Sequence, residues 1–258
     1  MEHVVSLSGG KDSTAMLFML LERGYPVDRV VFCDTTKEFD EMYAHIDAVE
    51  AMLLKNHGIK LERVSFDFDY YFSEIVKTRG VNAGNTGYGF PGFRTRWCTR
   101  KKIDALNSAL TTPRIQYVGF ASDEPEREER HIFGGTRVRG EIKRFPLIEF
   151  GVTESEALYY CYKLGFDWGG LYEKFDRVSC WMCPLKGIHA FKKLWRFFPE
   201  KWKELEEMQK RSRFPLLPGY SVSQLRERFE REHPETTCNA KNFYAQHWSY
   251  KQGVYIKS

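Results

Sequence analysis

Two stretches of this 258-residue chain carry side chains in patterns that do chemistry rather than packing. The first is Ser8-Gly9-Gly10-Lys11-Asp12-Ser13. A glycine pair lets the backbone wrap closely around an oxyanion, and peptide N–H groups at a helix start point into that concavity with the positive end of the dipole behind them. Lys11 adds a full charge, so phosphate binding is the chemistry expected. The stretch is not a Walker A loop, because Val5 stands where the first glycine belongs and Asp12 follows the lysine. Asp12 would repel a bound phosphate, so its expected roles are capping the helix or holding Mg2+.

The second is Cys180-Trp181-Met182-Cys183-Pro184, whose C-x2-C spacing lets two thiolates grip one metal or cluster from a tight turn. Two ligands are insufficient, so more must arrive from elsewhere in the chain. A thioredoxin-like dithiol expects a different strand and helix context, and two buried thiols packed around Trp181 would be the inert alternative. Cys33, at the end of an apolar run, reads as core packing, and Cys238, in a polar tail, as incidental.

The elements that must position these groups alternate. Residues 4–7 read as a short buried strand, then comes the glycine turn, then an apolar helix over 14–23 ended by Gly24. Residues 29–33 make a second strand closing on Asp34-Thr35-Thr36. Met42, Ile46, Val49, Met52 and Leu53 predict a helix over 40–56 ended by Gly58. Strands follow at 61–66 and 115–120, the latter leading into the charged residues Asp123, Glu124, Glu126 and Arg127. The Gly- and Asn-rich stretch 80–93 reads as a mobile flap. Thr153 and Glu156 form a capping box that opens a helix carrying Ala157, Leu158, Cys161 and Leu164 before Gly165. Beyond Pro184, basic stretches with Trp195, Phe197, Phe198, Trp202 and Leu205 predict a small helical appendage. The expected fold class is α/β, a Rossmann-like parallel sheet flanked by helices, with ligands at the carboxyl ends of the strands. The expected division is a nucleotide-binding domain over 1–185 and a basic, mainly helical C-terminal extension over 186–258.

With 42% hydrophobic residues the chain can bury a full core, and 39 Lys plus Arg against 35 Asp plus Glu leave +4, too little for a dedicated polyanion coat. Any nucleic-acid contact must come from a local patch. The longest apolar stretch, residues 15–21, is far short of a bilayer span, and the opening Met1-Glu2-His3 lacks the features of a secretory signal. No membrane association, a cytoplasmic location and reduced thiols are therefore expected.

The loop Ser8–Ser13 resembles the PP-loop of the adenine-nucleotide alpha-hydrolase superfamily, whose members cleave ATP between its α and β phosphates. Within it, further segments resemble the phosphoadenosine phosphosulfate reductase family: Phe32-Cys33-Asp34-Thr35 with Glu38-Phe39, Arg96-Trp97-Cys98-Thr99 with Lys101-Lys102, Gly119-Phe120 followed by Glu124 and Arg127, and Pro146-Leu147-Ile148. The resemblance spans roughly residues 1 to 190. It implies that Ser8, Gly9, Gly10, Lys11, Asp12 and Ser13 hold phosphates and metal, with Asp34 near the nucleotide. It also implies phosphate or substrate contacts from Arg94, Arg96, Lys101 and Lys102, and a nucleotide role for Arg127, with Arg130 beside it. Cys98, in the family's tryptophan-cysteine motif, becomes the natural third ligand to the C-x2-C pair. Cys161 is the best fourth, with His189 the alternative since imidazole suits zinc. Three cysteines would make a [4Fe-4S] cluster with one open iron, and four a closed centre.

The family holds sulfonucleotide reductases, the nucleotide-binding subunit of ATP sulfurylase and enzymes that put sulfur into nucleic acid. The leading expectation is an enzyme that uses ATP and Mg2+ to adenylate an acceptor oxygen so that a sulfur nucleophile can displace the adenylate, with Lys11 and the loop amides bearing the pyrophosphate charge. Reduction of a sulfonucleotide to sulfite is the alternative, against which stand the intact loop and the missing Glu-Cys-Gly-Leu-His motif. A non-catalytic nucleotide- or nucleic-acid-binding subunit is the third reading. The expected partners are a nucleotide substrate, a tRNA or DNA acceptor, a sulfur-donor protein such as a cysteine desulfurase, and a second copy of the chain.

Overall fold

The computed structural model describes residues 1–80, 82–92, 96–124, 126 and 138–232. Strands β1 (Glu2–Leu7), β2 (Arg29–Asp34), β3 (Leu61–Ser65), β4 (Arg114–Tyr117) and β5 (Glu141–Arg144) form one parallel sheet in the order β3-β2-β1-β4-β5. The protein is an α/β fold with helices on both faces of the sheet. Strand β2 carries a continuous buried apolar run, Val30 to Cys33, because both faces of the sheet are covered there. Val4 and Val31 pack with Leu110 on one side, while Val5, Leu7, Val30 and Phe32 enter the main core on the other.

The described helices are α1 (Lys11–Glu22), α2 (Asp40–His57), α3 (Trp97–Ala109), the short α4 (Pro146–Glu149), α5 (Glu154–Lys163), the short α6 (Leu171–Lys174), α7 (Ile188–Phe197), α8 (Pro199–Arg211) and α9 (Val222–Arg231). Helix α2 ends where expected, on Gly58 in the left-handed region at φ +66. Helix α5 opens on the expected box: the Glu156 N–H donates to Thr153 Oγ1 at 3.3 Å, and the Thr153 N–H to the Glu156 carboxylate at 2.9 Å.

Four expectations are corrected. Helix α1 begins at Lys11 rather than residue 14, so Lys11, Asp12 and Ser13 are its first turn. Strand β4 stops at Tyr117, because Val118 to Phe120 turn away to let Gly119 meet α1. The described part of the stretch read as a flap is pinned by backbone bonds, from Gly87 N to Ile75 O at 2.8 Å, Tyr88 N to Tyr71 O at 2.9 Å and Gly89 N to Phe72 O at 2.9 Å. The Trp97 indole clamps it further by donating to Gly89 O at 3.0 Å. Strand β5 was not anticipated: Glu-Ile-Lys-Arg lacks an apolar signature, and it survives as an edge strand where its charges reach solvent or the Arg114 guanidinium.

Helices α7 to α9 bury Phe191, Leu194, Trp202, Leu205, Met208, Val222, Leu225 and Phe229 in the same core cluster as the sheet, whereas Phe197 is 47% exposed. The seam is aromatic, with Phe39 4.9 Å from Phe198 between ring centroids. It is also ionic, with Arg211 reaching Asp69 at 3.1 Å. No helix among the described residues is long and apolar enough to cross a membrane.

Candidate functional site

The phosphate loop leaves the carboxyl end of β1, at the point where the chain's crossovers change direction along the sheet, the place where open parallel sheets hold ligands. Gly9 sits at φ +82, and a Cβ there would stand 2.6 Å from Met42 Sδ, so only glycine fits. The Trp168 indole donates to Gly9 O at 2.7 Å and the Lys11 N–H donates to the Tyr172 hydroxyl at 2.8 Å, fixing the loop from below. Burial, with Asp12 nearby, pushes the Tyr172 phenol well up, so it stays neutral. Ser13 Oγ donates to Gly10 O at 3.0 Å and lies 2.9 Å from Ser8 Oγ, closing a tight turn. Gly10, the N-cap of α1, offers no side chain to that helix start, which keeps the positive end of the dipole available to an anion.

Lys11 is placed differently from expectation. Its side chain is 5% exposed, and its ammonium donates to Glu154 Oε2 at 2.8 Å and contacts Asp12 Oδ1 at 3.0 Å. Its charge is therefore held by two carboxylates. Asp34, ending β2, accepts from the Thr36 N–H at 2.7 Å and the Tyr43 hydroxyl at 2.8 Å. It thereby holds Thr36 in the left-handed region at φ 58, which shapes the strand-end turn.

That turn carries the second group. The Cys180 thiol donates to Glu38 Oε1 at 3.2 Å and lies 3.2 Å from Thr35 Oγ1, while the Trp181 N–H donates to Lys37 O at 3.0 Å. Burial pushes the Cys98, Cys180 and Cys183 thiols up, and Cys183 adds to the rise at both of the others, so the three form one electrostatic neighbourhood. Two cations balance it. Burial lowers Lys102, but Glu38, Cys180, Cys33 and Cys98 hold its pKa above the ordinary lysine range. Lys186 is brought down to about 8 by burial, opposed by Cys183, Cys180 and Glu38. Its buried Nζ has no hydrogen-bond partner among the described residues and rests 5.0 Å from the Phe175 ring centroid and 5.2 Å from that of Phe39. A buried ammonium without an acceptor beside three thiols suits an anionic centre held by thiolates.

Cys161 does not join this trio. Helix α5 packs beneath α1, so the Cys161 thiol is fully buried and donates to Lys11 O at 3.4 Å, under the phosphate loop. His189 is exposed on the first turn of α7. Arg96, at the N-cap of α3, is exposed and close enough to Cys183 to lower its pKa. Lys101 turns away, 4.5 Å from the Tyr71 ring centroid and 3.6 Å from Asp104. Cys33 is buried at the end of β2, as expected of a core cysteine. Arg94, Arg127, Arg130 and Cys238 lie outside the described residues. Among the described residues, no three His, Cys, Asp or Glu side chains close on one point as a single metal ion would need. A four-iron cluster spreads its cysteine ligands more widely.

The groups missed in the sequence were Lys186, Glu154, Tyr172 and Trp168. Lys186, three residues beyond Cys183, could have been found from spacing alone, whereas Lys102, expected at a phosphate or substrate, sits instead beside Glu38 and the thiols. Glu154, Tyr172 and Trp168 come from distant segments and carried no local signal.

The sequence profile of the phosphoadenosine phosphosulfate reductase domain matches residues 2–186, and the chain belongs to that family. Among curated proteins it is similar to Uncharacterized protein MJ0066 of Methanocaldococcus jannaschii, 29% identical over 80% of this chain and 41% of that protein. It is also similar to Uncharacterized protein MJ0973 of the same organism, 26% identical over 80% of this chain and 47% of that protein. The chain thus spans less than half the length of these relatives. Among solved structures it resembles the U34-tRNA thiolase NcsA from Methanococcus maripaludis with its [4Fe-4S] cluster, at 17% identity and TM-score 0.41, covering 100% of this chain and 82% of that one.

Proposed function

We propose that the chain is an ATP pyrophosphatase-type enzyme that adenylates an acceptor oxygen and replaces that oxygen with sulfur, the acceptor being a nucleic acid, tRNA or DNA. One observation carries the reading: the glycine loop after β1 and the turn after β2, to which the Cys180 thiol is bonded, lie at the carboxyl ends of neighbouring parallel strands. In the first step an acceptor oxygen attacks the α-phosphorus of ATP and pyrophosphate leaves. The loop amides, the helix dipole and the Ser8 and Ser13 hydroxyls receive the charge that develops on the departing group. Asp12 and Ser13 are the chain's own candidates to help place Mg2+, which otherwise rides on the phosphates. In the second step a sulfur nucleophile attacks the activated carbon and AMP leaves with the former acceptor oxygen.

Cys98, Cys180 and Cys183 would hold a [4Fe-4S] cluster, with Lys102 and Lys186 offsetting its charge. When bound with three protein thiolates, such a cluster supplies one open iron at which sulfur can be held. The cluster is preferred to a single Zn2+ ion because three cysteine ligands leave one iron open to the sulfur that the reaction must deliver. A sulfur-donor protein is the partner this scheme requires.

The test is anaerobic purification followed by iron analysis, visible absorption, and pyrophosphate release from ATP with Mg2+ in the presence of a tRNA or DNA acceptor. The wild type is expected to carry about four irons per chain and to release pyrophosphate. Cys98→Ser, Cys180→Ser and Cys183→Ser should lose the chromophore, and Cys161→Ser should keep it. Sulfite formed from a sulfonucleotide and thiol reductant, with no pyrophosphate from ATP, would overturn the reading in favour of sulfonucleotide reduction.

A further inference from the structure

A pocket of about 540 Å3 adjoins the cysteine turn and is used by neither step. Its walls come from three separated stretches: Phe90 and Pro91 of the pinned loop, Pro184 and Leu185 just past Cys183, and Leu216 and Tyr220 between α8 and α9. The lining is almost wholly apolar, and its one cation, Arg228, donates to the Tyr220 hydroxyl at 3.3 Å. Such a chamber has the size of a small-ligand site and offers flat, non-polar faces rather than hydrogen bonds.

Its surroundings are positively charged. Lys77 Nζ lies 5.7 Å from the Tyr88 ring centroid and 5.4 Å from that of Phe214, next to the wall residues Phe90 and Pro215. Arg213 stands close enough to Lys77 for the two to repel, and with burial this lowers the Lys77 pKa. Neither these two nor the exposed Arg79 forms an ion pair with a described carboxylate. On the other side, exposed Arg96 stands near Cys183, next to the wall residue Pro184. Like charges crowded without carboxylates are an arrangement that an incoming polyanion relieves.

We infer that this surface binds a single-stranded polynucleotide, one unstacked base entering the apolar pocket while flanking phosphates lie on Lys77 and Arg213. A single strand fits better than a duplex, whose bases are stacked and paired out of reach, and aromatic pockets framed by cations bind bases through their faces. An acidic peptide would match the cations but not a chamber so poor in hydrogen-bonding groups. The pocket shares Pro184 and Leu185 with the cysteine turn, so a strand held there passes beside the thiols. The inference rests on the proposed function, for which it names the acceptor-binding surface.

The test is fluorescence anisotropy with a labelled single-stranded oligonucleotide at two salt concentrations, on wild type and on variants whose thermal unfolding matches it. The wild type should bind, with affinity falling steeply as salt rises. Lys77→Glu with Arg213→Glu should weaken binding at least tenfold at low salt and reduce the log–log salt slope by about 1 to 2. Tyr220→Ala should weaken binding roughly fivefold or more with the slope kept, since it removes stacking rather than charge. Absent binding by the wild type, equal binding of a duplex, or undiminished binding in both variants would overturn the inference. Binding of ATP with Mg2+ is read in parallel by calorimetric titration: if it persists while strand binding fails, only this surface is rejected, and if it is absent, the proposed function itself fails.

Discussion

Lys11 was expected to face the phosphates, yet its ammonium lies between Asp12 and Glu154, with side-chain exposures of 5%, 18% and 27% in that order. Removing it would take this cation from two partly buried carboxylates beside α1. Lys11→Met is expected to lose about 2 kcal/mol in urea unfolding, below the full loss for a deeply buried pair because both acids retain some water. Adding Glu154→Gln should recover part of that loss, and equal stability of Lys11→Met and wild type would refute the assignment. His45 offers a second residue-scale prediction. Burial pushes its pKa down to about 3, while it pairs with Thr14 Oγ1 at 3.0 Å and stacks on Trp168 at 4.3 Å between centroids. The unfolded chain binds this proton with a pKa near 6.5, so between pH 6.5 and pH 3 the unfolded state holds more protons than the folded one. Stability should fall as pH drops through that window, by up to about 1.4 kcal/mol per pH unit, and stay flat above it. The difference in unfolding free energy between wild type and His45→Gln should therefore carry this slope below pH 6.5 and be flat above it, and a flat difference throughout would refute the assignment.

At the scale of elements, the loop depends on how β4 meets α1. A Cβ on Gly119 would stand 2.8 Å from the Ser13 backbone nitrogen and Cα, and neither can yield without moving the first turn of the helix. Gly119→Ala is expected to cost about 1 to 3 kcal/mol and to weaken ATP binding at least tenfold, read by urea unfolding and calorimetric titration. Unchanged ATP affinity would show that the contact does not position the loop. The same elements show what a sequence can reveal. The strand, glycine turn and helix at the N-terminus, the Thr153 to Glu156 box and the Cys180 to Cys183 spacing are local, and each was legible. Strand β5 was not, because Arg114 and Glu141, with side chains 1% and 4% exposed, make a buried ion pair that hydrophobic patterning does not register. Cys161 misled because its place on a capped helix says nothing about which neighbour that helix packs against. The thiol turned toward Lys11 only through the docking of α5 beneath α1.

For the molecule as a whole, the strand order places the loop at a reversal point between two halves of the sheet, so a nucleotide bound there would touch elements from both. A ligand that binds only the folded state stabilises it by about 2.7 kcal/mol at a hundred times its Kd. For a chain of this size that corresponds to a rise in Tm of roughly 5 to 10 °C. ATP with Mg2+ is expected to produce it and AMP to produce less, since AMP lacks the phosphates that the helix start would hold. Equal shifts, or none, would contradict a triphosphate site on β1.

The bond between Thr35 and Cys180 joins residues 145 positions apart, and the Trp181 amide adds a stitch to Lys37. During synthesis the β2 corner therefore waits, built but unclosed, until residues 180 and 181 have left the ribosome. A chain truncated before residue 180 would therefore lack both bonds and leave the β2 corner open.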